Sequence, residues 1–253
     1  MTAIAAALSA LIAFLAFRAR ALTLDGAVAA FLVGFLVLAG TGWAGGLALG
    51  AFFVSSTVLS RRAERHEPAW LDAPGNRRNA WQVLANGGIA GSGGVIALLG
   101  RPTTGLAIVV CSLAAAAADT WATSWGMSSA GDPVDIRTWK RVPKGTSGGV
   151  SLRGTLGGVA GALLVSAAPL LAGAPDRLLL AGAVSGVIGM AADSLIGATL
   201  QGRFFCPACE LQSERRIHRC GTRTVPTGGL PALTNDGVNF LATALAGMIG
   251  SIW

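Results

Sequence analysis

The sequence predicts an all-α, polytopic integral membrane protein with about eight transmembrane helices. Three observations carry this. Of 253 residues, 53% are hydrophobic and 12% charged, about half the charged share of a soluble domain. Mean hydropathy is +0.62. The apolar residues come in blocks, and the basic residues fall between alternate blocks.

The first block, residues 2–17, is apolar from its start and lacks a basic leader, so it reads as a spanning or half-spanning helix and not as a cleaved signal. Blocks 26–39 and 45–60 follow, then 80–99, 104–126, 154–172, 178–200 and 237–252. The second, third and last are shorter than the roughly 20 residues a full span needs. They are expected to extend into their flanks or be partly re-entrant, with seven helices as the alternative count. The 36 glycines, many inside apolar runs, suit close helix packing in lipid. One transmembrane domain, 1–253, is expected, with a Cys/His-bearing loop, 203–224, inserted between the seventh and eighth helices.

The charges test this division. Lys and Arg concentrate in cytoplasmic loops. Arg18 and Arg20 follow the first helix, and Arg61, Arg62, Arg65, Arg77 and Arg78 follow the third. Arg137, Lys140, Arg141, Lys144 and Arg153 lie after the fifth, and Arg203, Arg215, Arg216, Arg219 and Arg223 after the seventh. Alternate loops thus hold 17 of the 19 basic residues, leaving Arg101 and Arg177 for the others. Both termini are expected outside a cell (inner) membrane, with the large loops in the cytoplasm. The net charge of +7 belongs to one membrane face, where it orients the chain and attracts lipid head groups or phosphorylated ligands. No nucleic-acid-binding module accompanies it, which argues against such a partner.

Within the fifth block, AAAAADTWATSWG places Asp119 in a segment otherwise apolar enough for lipid. An ionised group at a spanning-helix centre costs at least about 2.5–3.5 kcal/mol, so such residues face protein or a water-filled cavity. The pattern recurs in MAADSLIGATLQG with Asp193. Both helices run inward in the predicted topology, which sets the two acids at similar depth in the cytoplasmic third. One shared polar site follows, against the plainer reading of two interhelical hydrogen bonds. Asp236 opens the eighth helix from the same side, where the helix dipole alone would stabilise it, and Asn239 lies about one turn on.

Two further stretches are polar in a patterned way. In RRNAWQVLANGG, Arg78, Gln82 and Asn86 recur at i, i+4, i+8, one stripe of a helix that should line a cavity. For Asn86, interhelical hydrogen bonding serves equally well. In RVPKGTSGGVSLRGTLGG, Gly145, Gly148 and Gly149 let backbone amides turn toward a ligand, Lys144 adds a point charge, and Thr146 and Ser147 add hydroxyls just before a helix N-terminus. That composition suits phosphate, although it is not a Walker motif. Gly154, Gly157 and Gly158 belong to helix packing.

The last inner loop reads CPACELQSERRIHRC. Cys206, Cys209, His218 and Cys220 form a CxxC and an HxC pair, four ligands able to close a structural zinc site of Cys3His type; metal-free thiols are the alternative. Four protein ligands leave no open position for catalysis. Cys111 reads as a small core residue.

Taken together, RNAxQVLANGG, ADTWATSWG, PKGTSGGVSLRGTLGG, ADSLIGATLQG and NDGVNFLAT, in this order between about Leu22 and Ala246, resemble the phytyl-phosphate kinase family of vitamin E biosynthesis. The resemblance implies CTP-dependent phosphorylation of an isoprenyl monophosphate to its diphosphate. The Cys/His loop departs from the plant-type pattern and suggests a bacterial branch. Phosphoryl transfer is mainly positioning and charge stabilisation. On this reading Asp119 and Asp193, with Asp236 and Asn239, would hold Mg2+, while Lys144, Arg141, Arg153 and the loop amides would hold phosphates. Two other classes stay open: a cytidylyltransferase making a CDP-lipid from the same substrates, and a cation-coupled transporter. For the transporter, the short echo between 118–123 and 192–197 lies on helices that run the same way, unlike an inverted repeat.

Overall fold

The computed structural model describes residues 2–63, 77–218 and 220–253. Arg65 and Arg219, counted above among the basic loop residues, lie outside the described residues. Seven α-helices are present among those described: α1 Thr2–Arg18, α2 Leu24–Ala63, α3 Ala80–Leu98, α4 Pro102–Met127, α5 Leu152–Ala167, α6 Arg177–Thr199 and α7 Asn235–Gly250. Among the described residues, four helical stretches are long and apolar enough to cross a membrane: Leu24–Ala63, Pro102–Met127, Leu152–Ala172 and Arg177–Thr199.

The 40 residues of α2 correspond to the second and third apolar blocks of the sequence. A straight helix of that length would extend about 60 Å. Gly42 interrupts it at φ 62, ψ −150, a conformation open to glycine and not to residues with a Cβ. Across the break, a Cβ on Gly34 would lie 4.0 Å from the Leu49 side chain. The Arg61 guanidinium donates to the Ala19 carbonyl at 2.7 Å, only five residues before α2 begins. The two limbs, 24–41 and 43–63, therefore fold back on one another.

Helix α4 is the axis of the bundle. Val109, Val110, Leu113, Ala114, Ala117 and Ala118 have no or almost no exposed surface, and Cys111 is buried with them. Its run of alanines is what permits this, because small side chains leave room for neighbouring backbones. A Cβ on Gly93 would meet the Gly105 carbonyl at 2.8 Å, bringing α3 in. On α5, Gly154, Gly157, Gly158 and Gly161 face Ala122, Trp125, Ala118 and Trp121, as expected of packing glycines. Gly186 and Gly189 set α6 against Ala114 and Ala115. The perimeter is the reverse of a soluble protein's: Leu11, Phe14, Leu32, Val54, Leu98, Leu163, Leu195 and Phe240 point outward. Such a surface suits lipid.

One end of the bundle carries all the non-helical structure of consequence. Val134–Asp135 (β1) pairs antiparallel with Gly149–Val150 (β2). Arg203–Cys206 (β3) is the central strand of a second sheet, between Leu211–Ser213 (β4) and Val225–Gly228 (β5). The Cys/His segment is thus a small three-stranded sheet and not a plain loop. Gly202 donates to the Leu233 carbonyl and Leu230 to that of Leu200, which tie the sheet to the end of α6 and the approach to α7.

Candidate carboxylate and Cys/His sites

The chain direction of the helices brings the acidic residues together. A Cβ on Gly189 would lie 2.5 Å from the Ala115 side chain and 3.3 Å from the Ala242 carbonyl, so α4, α6 and α7 meet at that level. One helical turn toward the sheet-bearing end, on the same faces, stand Asp119, Asp193 and Asn239. The Asp119 and Asp193 carboxyls are within hydrogen-bonding reach of each other. Among the described residues, Asp193 Oδ2 and Asn239 Oδ1 are buried acceptors that lack a donor. Buried polar atoms almost always have partners. Two facing carboxylates and an amide oxygen, all oxygen donors and short of hydrogens, are a donor set for a hard divalent cation. Asp236, in the first turn of α7, is half-buried.

The glycine-rich segment lies on this centre from the side of α6. Gly148 has φ +82, and a Cβ there would fall 2.3 Å from the Ala198 side chain and 3.0 Å from the Ser194 carbonyl. Gly149 donates to the Thr146 carbonyl at 2.9 Å and Thr146 Oγ1 to that of Pro143 at 2.7 Å, so the turn is closed upon itself. Its far side is pinned by Asp135, a residue sequence reasoning passed over. The backbone amides of Thr138 and Arg137, with the Arg137 guanidinium, hold its carboxyl down at about 2.

The basic residues of this segment have another occupation. Lys144 Nζ donates to the Met127 and Ser129 carbonyls, and Arg153 to the Ser128 carbonyl at 2.9 Å. Both cap the C-terminal end of α4, where unpaired carbonyls and the dipole favour cations. Arg141 donates to the Asp132 carbonyl at 3.4 Å. Met127 is eight residues from Asp119, or about 12 Å along a helix. Lys144 therefore does not join the carboxylates directly.

The polar stripe expected on the fourth block is divided. Arg78 and Asn79 precede α3; Asn79 Oδ1 accepts from the Gln82 amide at 3.0 Å and Gln82 Oε1 from the Asn79 amide at 3.1 Å, a capping box. Asn86 Nδ2 returns to the Gln82 carbonyl at 3.0 Å. The Arg78 guanidinium stacks 5.9 Å from the Phe52 ring centroid. Of the residues at the i, i+4, i+8 spacing, Gln82 is engaged in the helix start, while Arg78 lies over Phe52 and Asn86 bonds within α3. Thr243 on α7 donates to the Ala85 carbonyl at 3.0 Å, so Asn86 still borders α7.

At the tip of the sheet, the ligand atoms of Cys206, Cys209, His218 and Cys220 all lie within 4.8 Å of one another. Cys206 Sγ and Cys220 Sγ are 3.7 Å apart. That is far from the roughly 2.05 Å of a disulfide and matches the roughly 3.8 Å between thiolates bound tetrahedrally at about 2.3 Å from zinc. His218 Nδ1 is 3.2 Å from Cys220 Sγ. The cluster can hold a metal ion, and its ligands fit zinc.

Between the clusters stands Glu214. Ser147 Oγ donates to its carboxylate, Gln201 lies beside it, and its charge bears on Asp193. Desolvation pushes the Glu214 carboxyl above its ordinary range, opposed by Ser147 and then Gln201. In sequence it is one glutamate before two arginines, the pattern of a solvated ion pair, and nothing there marks it.

Comparison with known proteins places these features in a family. Residues 7–247 match the family described as integral membrane protein DUF92. Protein PGR of Arabidopsis thaliana is 30% identical over 277 aligned positions, covering 97% of this chain and 93% of its own length. An uncharacterized membrane protein of Methanocaldococcus jannaschii is 30% identical over 234, covering 92% of this chain and 86% of its own. No solved structure matches.

Proposed function

The chain belongs to the DUF92 family of integral membrane proteins, and from that premise we propose that it is a CTP-dependent kinase that converts an isoprenyl monophosphate to its diphosphate. The observation that supports this most is the pairing of Asp119 with Asp193, with partnerless oxygens on Asp193 and, at the same level of the bundle, on Asn239, beside the glycine-rich segment. Asp119, Asp193 and Asn239 would hold Mg2+, with Asp236 near the same end. When bound, the cation would offset charge on the polyphosphate oxygens.

The chain's own residues do the rest. Amides of the turn from Gly145 to Gly149 would orient the nucleotide phosphates over α6. Lys144 and Arg153 would exchange part of their hold on the carbonyls at the end of α4, and Arg141 its hold on the Asp132 carbonyl, for phosphate oxygens, while Arg78, Gln82 and Asn86 border the entry from α3. An oxygen of the lipid monophosphate attacks the γ-phosphorus of CTP, the bond from that phosphorus to the β-phosphate oxygen breaks, and CDP departs. No dedicated base is needed, because the attacking phosphate oxygen is already ionised. The isoprenyl tail stays in lipid between helices.

Purified protein given CTP labelled in the γ-phosphate and geranylgeranyl or phytyl phosphate should yield labelled lipid diphosphate and CDP. Pyrophosphate with a CDP-lipid would instead assign a cytidylyltransferase, and no product with any prenyl phosphate would sink the kinase.

The membrane arrangement we propose has eight passes, since the two limbs of α2 each count as one. The end bearing both sheets faces the cytoplasm of the cell membrane, and both termini face out. A cysteine placed beside Lys140 should resist an impermeant thiol reagent in intact cells, and one beside Arg101 should react. The opposite labelling pattern would invert the topology. Zinc is the ion we assign to Cys206, Cys209, His218 and Cys220, in a structural role.

A further inference from the structure

We infer that Glu214 is the third carboxylate of the Asp119–Asp193 cation site, and that the Cys/His sheet is the brace that delivers it. Occupancy of that sheet by its own metal ion then sets the cation affinity of a site elsewhere in the fold. This rests on the reading above that the aspartate pair binds a divalent cation.

The path is short in space and long in sequence. Glu214 directly follows β4, whose Ser213 pairs with Phe204 of β3. Beyond it the backbone is laddered to the returning strand: Thr224 N donates to the Arg216 carbonyl, Thr224 Oγ1 to that of Arg215, and His218 N to that of Thr222. The ladder ends at His218 and Cys220, which meet Cys206 at the end of β3 and Cys209 in the β3–β4 turn. Glu214 is thus held at the base of a hairpin whose tip is closed by the cluster. Ser147, 67 residues away, donates to its carboxylate from the glycine-rich segment seated on α6.

Glu214 is exposed on its outer side, and its negative charge adds to the repulsion that Asp193 already meets from Asp119. Lys144 and Arg153 are turned to the carbonyls at the end of α4, and Arg216 donates to the Pro231 carbonyl. Gln201, 2% exposed, lies next to Glu214 and helps hold its carboxyl down against desolvation, while its buried Nε2 makes no close hydrogen bond. Partnerless acceptor and donor atoms on one small surface fit a cation together with the phosphate oxygen it carries.

The test uses full-length protein in nanodiscs, with Mn2+ as the probe read by electron paramagnetic resonance and zinc read by elemental analysis. Wild type should bind Mn2+ saturably and carry about one zinc per chain. Glu214→Gln should weaken Mn2+ binding roughly 10- to 100-fold with zinc retained. Ser147→Ala, which loosens the carboxylate without touching the cluster, should shift binding in the same direction. Cys209→Ser should lose zinc and weaken Mn2+ binding, with the Cys209→Ser/Glu214→Gln double variant no weaker than Glu214→Gln alone. Asp193→Asn separates the two ideas. If it abolishes Mn2+ binding while Glu214→Gln binds as wild type does, Glu214 is no part of the site and the aspartate pair stands. If Asp193→Asn binds normally, the pair itself is not the cation site, and this inference falls with it. Loss of zinc in Cys209→Ser with unchanged Mn2+ affinity would overturn the brace, as would unchanged affinity in Ser147→Ala should Cys209→Ser not fold.

Discussion

Replacing Asp193 by asparagine should lower turnover in the proposed kinase reaction at least about 100-fold, and Asp119→Asn should do the same, because an uncharged amide cannot offset the charge of the Mg2+ that the proposed transfer would use. The protein should still fold. Asparagine keeps the shape of the side chain, and removing one of two facing carboxylates relieves like-charge repulsion in a buried place. Turnover measured against Mg2+ concentration separates the outcomes. A variant that regains its rate at high Mg2+ has weakened the cation site, and one that stays low has lost the geometry of the transition state. Near-normal turnover at ordinary Mg2+ in either variant would mean that its carboxylate only joins helices, and the site would have to be rebuilt around Asp236, Asn239 and Asn86.

Gly148→Ala should have the second largest effect, for two reasons that add. At φ +82 a Cβ costs roughly 1–2 kcal/mol in the left-handed region. The same Cβ would fall 2.3 Å from the Ala198 side chain and 2.9 Å from its Cα, and overpacking of this kind typically costs about 1–3 kcal/mol. Neither partner can yield, since Ala198 is almost fully buried within α6. The turn must lift from the helix, carrying Ser147 and the amides proposed to hold phosphate with it. A displacement near 1 Å is enough for about a 100-fold loss in rate. The expected signature is a raised KM for CTP and a lowered kcat, with most of the thermal stability retained because the bundle itself is untouched. Wild-type kinetics in Gly148→Ala would show that the turn has no part in presenting the nucleotide.

Much of the bundle was legible in the residues because lipid imposes simple conditions. Apolar blocks must span, basic residues must stay on one side, and an ionisable group within a block must find company. Asp119 and Asp193 stand out in sequence for that reason, and so do the four zinc-type ligands, whose spacing is local. The paired helices of α2 were legible too, as two short blocks on either side of Gly42. The polar stripe was legible only in part, since its period alone does not show where a helix starts: α3 begins at Ala80, and Asn79 and Gln82 close its capping box.

By itself the sequence determined the helical membrane class, the segregation of basic residues to one end, the two intramembrane acids and the Cys/His set, all properties of single segments in a known solvent. Only the tertiary structure decided which groups meet. Asn239 comes to the level of the aspartates because α7 crosses α4 and α6 at Gly189. Lys144 and Arg153 turn to the end of α4 because its last carbonyls lie closer to them than the carboxylates do. Glu214 reaches Ser147 because a three-stranded sheet folds the chain back over α6. Each depends on a distance between residues far apart in the chain, and periodicity and composition carry no information about such distances.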